Sequence, residues 1–175
     1  MKLSIIQIDI TKVKVDAVVN SANKTLLGGL GVDGAVHKAA GPELLEECKR
    51  IRQEKCPKGL PTGEAVATKA YNLPAKIIIH TVGPKNKFED ISLLSKCYIN
   101  SLRVAEENNC KSIAFPSIST GVHGVPVEEA VKLVKEVFEK YKTNLIQEVF
   151  LVLYSNRDLE VYKKTFSDLT KDINP

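Results

Sequence analysis

The length of 175 residues fits one domain, and 43% hydrophobic residues can bury a sizeable core, which excludes a disordered chain. A net charge of +4, carried by dispersed lysines with no basic stripe between aromatics, suits an anionic ligand and excludes a dedicated nucleic-acid surface. No apolar run approaches the ~20 residues that span a bilayer, and no signal-peptide pattern opens the chain, so a cytoplasmic protein with no membrane partner is expected.

Leu3–Ile10 alternates loosely and is rich in Ile, which predicts a strand. Asp16–Asn20 is a short buried strand that runs into a polar, glycine-rich stretch from Asn20 to Gly41. Val32–Ala40 is a helix ended by Gly41-Pro42, and Glu43–Glu54 is a second helix. Pro and Gly make Cys56–Gly63 a loop. Glu64–Lys69 and Ile77–Val82 are strands, joined across a turn near Asn72-Leu73-Pro74. Glu89–Asn109 is a long helix with Leu94, Cys97, Tyr98, Leu102 and Ala105 on one face. Ser112–Phe115 is a strand that opens onto a second polar loop, Pro116–Gly124. Val127–Lys142 is a helix, Glu148–Tyr154 a strand, and Leu159, Tyr162, Phe166 and Leu169 mark a closing amphipathic helix. Such alternation predicts a largely parallel sheet with helices on both faces, and ligands of such sheets bind beyond the carboxyl ends of the strands. The two polar loops each follow a strand and should meet at that edge.

The first loop is the most informative. Its glycines allow φ > 0 and close approach of backbone to a ligand, and the start of the following helix offers N–H groups to a phosphate. Gly29–Gly34 matches G-x-G-x-x-G literally, but Ser21–Gly28 separates it from the strand, which argues against a dinucleotide fingerprint. No Gly-Lys-Ser/Thr follows, which excludes a P-loop of that type. Three hydroxyls and two glycines in Pro116–Gly124 form a second candidate anion cradle. Two cradles on one edge suit a ligand of pyrophosphate size. Cys48, Cys56, Cys97 and Cys110 lack zinc-ligand spacing and are expected to be reduced thiols.

These residues together resemble the macrodomain family, the ADP-ribose-binding module. The matching pieces are Gln7-Ile8-Asp9-Ile10-Thr11, Val15–Asn23, Leu27–Gly41, Ile79–Pro84 and Ala114–Gly124, in order along nearly the whole chain. Gly31–His37 is similar to the MacroD-type branch, which removes mono-ADP-ribose from acidic side chains and deacetylates O-acetyl-ADP-ribose. The resemblance implies a single macrodomain over residues 1–175, a three-layer α/β/α sandwich with a mixed, mostly parallel central sheet. It implies that Asp9 accepts from the adenine amino group and Ile10 gives its backbone N–H beside it. Asn23 would hold the distal ribose, Gly31, Val32 and Asp33 would line the ribose and phosphates, and Ser119, Thr120, Gly121, Val122 and His123 would wrap the pyrophosphate. Tyr154 is the candidate for stacking on adenine, with capping of the core edge as its alternative.

Asn23, Asp33 and His37 form the candidate catalytic set. A carboxylate beside the distal ribose can orient or deprotonate an attacking water; a ligand phosphate oxygen could position that water instead. Its structural alternative is stabilisation of the helix dipole. His37, one turn beyond Asp33, can face and orient it. His80, at a buried strand end, is expected to be structural. Relative to the family pattern, Ile8 and Leu30 stand in place of glycines, and His123 and Val125 in place of aromatics. Neither cofactor nor metal is implied. ADP-ribose, its derivatives and mono-ADP-ribosylated proteins are the expected partners of a monomer. The competing functions are a non-catalytic ADP-ribose reader and an ADP-ribose-1″-phosphate phosphatase; an RNA or poly(ADP-ribose) adaptor ranks below them.

Overall fold

Strand alternation assigns each side chain to a layer. In the computed structural model, which describes residues 1–169, the elements are β1 (Lys2–Gln7), β2 (Ala17–Ser21), α1 (Gly31–Ala40), α2 (Pro42–Glu54), β3 (Ala65–Lys69), β4 (Ile77–Thr81), α3 (Leu93–Glu107), β5 (Ser112–Pro116), α4 (Val127–Lys140), β6 (Glu148–Leu153) and α5 (Asn156–Thr165). The six strands form one sheet in the order β1-β6-β5-β2-β4-β3, parallel except for the edge pair β3–β4. Ala17, Val19, Ile79, Ile113, Phe115, Val149 and Leu151 point to the face covered by α3, α4 and α5. Ile78 points to the opposite face, under α1 and α2, and Val18, Ala114 and Val152 close that face near Ile10 and Val13. The architecture is the expected three-layer α/β/α sandwich with a mixed, mostly parallel sheet.

Helix periodicity supplies the matching faces. Val127, Ala130, Val131, Val134 and Phe138 are buried along one stripe of α4, and Leu94, Cys97, Tyr98, Leu102 and Ala105 along one stripe of α3. Between them Tyr98 stacks on Phe115 with ring centroids 4.7 Å apart, and Phe138 meets both rings edge-on. Pro42 starts α2 at the position where its missing N–H is harmless, and Gly41, at φ 94°, turns the chain out of α1.

Several boundaries differ from the sequence expectation. β1 ends at Gln7 rather than Ile10. Asp9 caps a short 3-10 turn, Ile10–Lys12, by accepting from Thr11 N at 3.0 Å and Thr11 Oγ1 at 2.7 Å. α3 starts at Leu93 rather than Glu89. The Glu89 carboxylate accepts from Thr62 Oγ1, Lys85 N and Lys24 Nζ, and Asp90 Oδ1 accepts from Ser92 N; these local bonds compete with helix. Leu169 falls beyond the end of α5 and is 40% exposed.

Candidate active site

β2 and β5 are neighbours, so the two polar loops leave adjacent strands in the same direction. They face each other across a groove of about 980 Å³, at the upper end of the range for small-molecule sites. Asp9, Ile10 and Tyr154 line one end; Asn23, Gly29, Leu30, Gly31, Val32 and Asp33 line one wall; Ser117, Ser119, Thr120, Gly121, Val122 and His123 line the other.

The first wall is built on α1. Leu30 caps the helix without a side-chain hydrogen bond, and the N–H groups of Gly31, Val32 and Asp33 donate to no acceptor among the described residues. The loop lies directly on the helix. A Cβ on Gly34 would stand 2.6 Å from the Gly29 carbonyl oxygen, so only glycine fits. Asn23 donates from Nδ2 to Gly28 O at 2.7 Å and accepts from Thr25 Oγ1 at 2.5 Å, which fixes its amide.

Asp33 is 4% exposed although it lines the groove. Its Oδ1 accepts from Asn20 Nδ2 at 2.8 Å and lies 3.4 Å from His37 Nε2. Its Oδ2 turns toward Gly29 and the Asn23 amide: a Cβ on Gly29 would stand 3.0 Å from Asp33 Oδ2 and 3.3 Å from Asn23 Nδ2. Burial raises the Asp33 carboxyl above the ordinary carboxylate value, opposed by the Asn20 hydrogen bond and His37. His37 does not line the groove and reaches Asp33 from its side, one turn along α1.

The second wall presents main chain. The N–H groups of residues 119–123 donate to no acceptor among the described residues. Thr120 Oγ1 donates within the loop, 2.8 Å from Ser117 Oγ and 3.1 Å from Ser117 O, and Val125 N returns to Ser119 O. Ser119 holds φ 67°, and its buried Oγ has no partner among the described residues. Gly83 makes the room: a Cβ there would stand 2.1 Å from Ser119 Oγ. His123 Nδ1 donates to Gly83 O at 2.9 Å, since a carbonyl only accepts. Val125 is buried in the core under α3 and α4, away from the groove.

At the far end, Thr11 holds the Asp9 carboxyl below its ordinary value, through side-chain and then backbone hydrogen bonds. Gln7 Nε2 donates to Tyr154 O at 3.1 Å. Tyr154 is 95% exposed, which excludes a core-edge cap and leaves it at the groove mouth. Among the described residues no group of three His, Cys, Asp or Glu is poised to hold a metal.

The Macro domain family model matches residues 19–134, which includes both loops. The chain belongs to the macrodomain family. A macro domain-containing protein of Caldanaerobacter subterraneus is 50% identical over 175 aligned residues, 97% of this chain and 98% of that protein. The O-acetyl-ADP-ribose deacetylase of Escherichia coli K12 is 44% identical over 170, covering 93% of this chain and 94% of that enzyme. A solved Oceanobacillus iheyensis macrodomain with ADP superposes with a TM-score of 0.91 at 42% identity, covering 98% of this chain and 93% of that one.

In this macrodomain, three residues outside the expected set bear on Asp33: Asn20, His80 and Thr68, all buried and none lining the groove. The signal for two of them was a polar residue closing an apolar run, Val18-Val19-Asn20 and Ile78-Ile79-His80, since a buried polar group needs a partner. Thr68 has no such signal. Asp158 also lines the groove, near Tyr154, and its sequence position on an exposed helix start disguises it.

Proposed function

We propose that this macrodomain is a hydrolase of ADP-ribose derivatives, which releases mono-ADP-ribose from acidic side chains, acetate from O-acetyl-ADP-ribose, or both. Asp9, the Ile10 N–H and Tyr154 take the adenine end. The two arrays of unengaged N–H groups grip the diphosphate from opposite sides. Asn23 and Asp33 then meet the distal ribose with its ester.

The observation that carries this reading is Asp33 itself. Its Oδ1 is committed to Asn20 and His37, so the carboxylate cannot rotate freely, and its Oδ2 lies toward Gly29 and the Asn23 amide, two residues of the groove wall. A carboxylate raised by burial is a better base than an ordinary one. Water attacks the ester carbonyl carbon, Asp33 Oδ2 takes the water proton, and the proton returns to the departing ribose oxygen. The ester C–O bond breaks and leaves a carboxylic acid and ADP-ribose. Similarity to the E. coli O-acetyl-ADP-ribose deacetylase and to the Oceanobacillus macrodomain with ADP supports this substrate class.

A reader without turnover is the second reading, favoured by the 4% exposure of Asp33. The deciding experiment is a time course on a glutamate-mono-ADP-ribosylated protein and on O-acetyl-ADP-ribose, with calorimetry of ADP-ribose on the same sample. Release supports the hydrolase. Binding without release makes this a reader, and no binding overturns both.

A further inference from the structure

Three strands carry a line of buried polar side chains toward Asp33. Thr68 lies on the edge strand β3, His80 on β4 and Asn20 on β2; they are 3%, 1% and 0% exposed. Asn20 and His80 are direct partners in the β2–β4 ladder. Thr68 Oγ1 is 2.9 Å from His80 Nε2, His80 Nδ1 is 3.1 Å from Asn20 Nδ2, and the same Nδ2 is 2.8 Å from Asp33 Oδ1.

Donor and acceptor roles along this line turn on the His80 tautomer. The Thr68 hydroxyl stands 3.0 Å from Lys69 O; giving its single proton there, it accepts from His80 Nε2–H. Burial, then the nearby His37, push His80 down to about 3, so the ring carries one proton; with that proton on Nε2 toward Thr68, Nδ1 is bare. A bare Nδ1 needs a donor, and Asn20 Nδ2 has two hydrogens, one for His80 and one for Asp33. The amide nitrogen faces both acceptors although the buried Asn20 Oδ1 is thereby left without a partner among the described residues. Turned over, the amide would set its oxygen against His80 Nδ1 and Asp33 Oδ1 at once, with repulsion at both contacts.

We infer that Thr68 and His80 are positioning residues for Asp33: the proton on His80 Nε2, held by Thr68, orients the Asn20 amide and so keeps Asp33 Oδ2 turned toward Gly29 and the Asn23 amide. This rests on the reading of Asp33 as the group that handles water. The titratable groups around Asp33 are His37 on its own helix, Cys48 from α2 and His80 from β4, with His37 and His80 rings 6.4 Å apart. Burial, reinforced by Asp33 and Glu47, raises the Cys48 thiol to about 12, so it stays neutral.

The test is Thr68→Val, which keeps the β-branched shape and removes the acceptor, with Thr68→Ser as rescue. In the unsubstituted protein, nitrogen-resolved NMR of His80 should show the Nε2–H tautomer between about pH 5 and 8. Thr68→Val should lower kcat about tenfold or more with little change in KM, and move the acid limb of the kcat–pH profile upward. Thr68→Ser should restore both. An Nδ1–H tautomer in the unsubstituted protein, or a Thr68→Val enzyme with unchanged kcat and profile, overturns the inference. So does a loss no greater than the loss of folded protein. If the unsubstituted protein turns over neither ester, the hydrolase reading fails. The positioning role is then decided by the Asp33 carboxyl titration followed by carbon NMR: an upward move in Thr68→Val supports it, and an unmoved titration overturns it.

Discussion

The two loops that face each other across the groove are built in opposite ways. The β2–α1 loop is held by side chains: Asn23 is bonded within it, and Asp33 is anchored to Asn20 and His37 behind it. The β5–α4 loop is held by its own backbone, by Thr120 within it and by His123 on Gly83 O, and it lines the groove with N–H groups that donate to no acceptor among the described residues. A fixed carboxylate suits chemistry at one point, whereas a row of N–H groups suits grip on a spread charge. Glu89 links the two: it accepts from Lys24 of the first loop and Lys85 N, and Asn86 N of that turn donates to His123 O of the second. The division predicts that substitutions on the first side change rate and those on the second change affinity.

Asp33→Asn is the sharpest way to break that division. It should reduce kcat by roughly 10²- to 10⁴-fold, the range of a lost general base, with ADP-ribose affinity by calorimetry changed far less. Parallel losses in rate and affinity would make Asp33 a binding residue. Asp9→Ala, at the proposed adenine end, should weaken ADP-ribose binding by roughly 1.5–3 kcal/mol through loss of a charge-assisted hydrogen bond. Unchanged affinity would remove Asp9 from the adenine site.

On the grip side, Gly83→Ala should displace Ser119 and Ile118, whose atoms stand 2.1 and 2.6 Å from the added Cβ. Overpacking of this kind costs about 1–3 kcal/mol of stability, measurable by urea unfolding, and should weaken ligand binding with it. Ser119→Ala is subtler. It removes a buried hydroxyl with no partner among the described residues, packed beside Gly83, so the free protein should lose no stability and affinity for ADP-ribose should change by less than about 0.5 kcal/mol. A clear affinity loss by calorimetry would mean that the hydroxyl meets the ligand.

The smallest effect is on the link. Thr62 first, then Lys85 N and Lys24, hold Glu89 down at about 2, below its ordinary 4.5. A depressed carboxylate stabilises the fold above its unfolded value and loses that contribution as pH falls from about 4.5 toward about 2. Glu89→Gln should flatten that part of the pH–stability curve. Asp33 has the opposite sign. Its raised carboxyl favours the fold while protonated, and that contribution is lost as pH rises from the ordinary value through the raised one.

The element list was legible because its cause is local. Apolar runs such as Ile77-Ile78-Ile79, the three- and four-residue stripes of α3 and α4, and the Gly41-Pro42 stop all act within a few residues. Boundaries failed where side chains compete with backbone, at Asp9-Thr11 and at Glu89–Ser92. The two cradles and Asp33 were visible as a dense polar, glycine-rich pattern. The support behind Asp33 was only half visible, because Asn20 and His80 break apolar runs whereas Thr68 is an ordinary strand residue.

The sequence by itself determined which segments are strands and helices, and that two polar loops leave strands in the same sense. It also carried the family pattern. The tertiary structure alone decided the strand order, which sets β1 beside β6 and makes β2 and β5 neighbours. It decided too that Thr68, His80 and Asn20 form one line, since their pairing rests on register between strands far apart in the chain. The physical reason is common to both. Local steric and hydrophobic periodicity are written into consecutive residues, whereas hydrogen-bond partners across a sheet exist only once distant segments have packed.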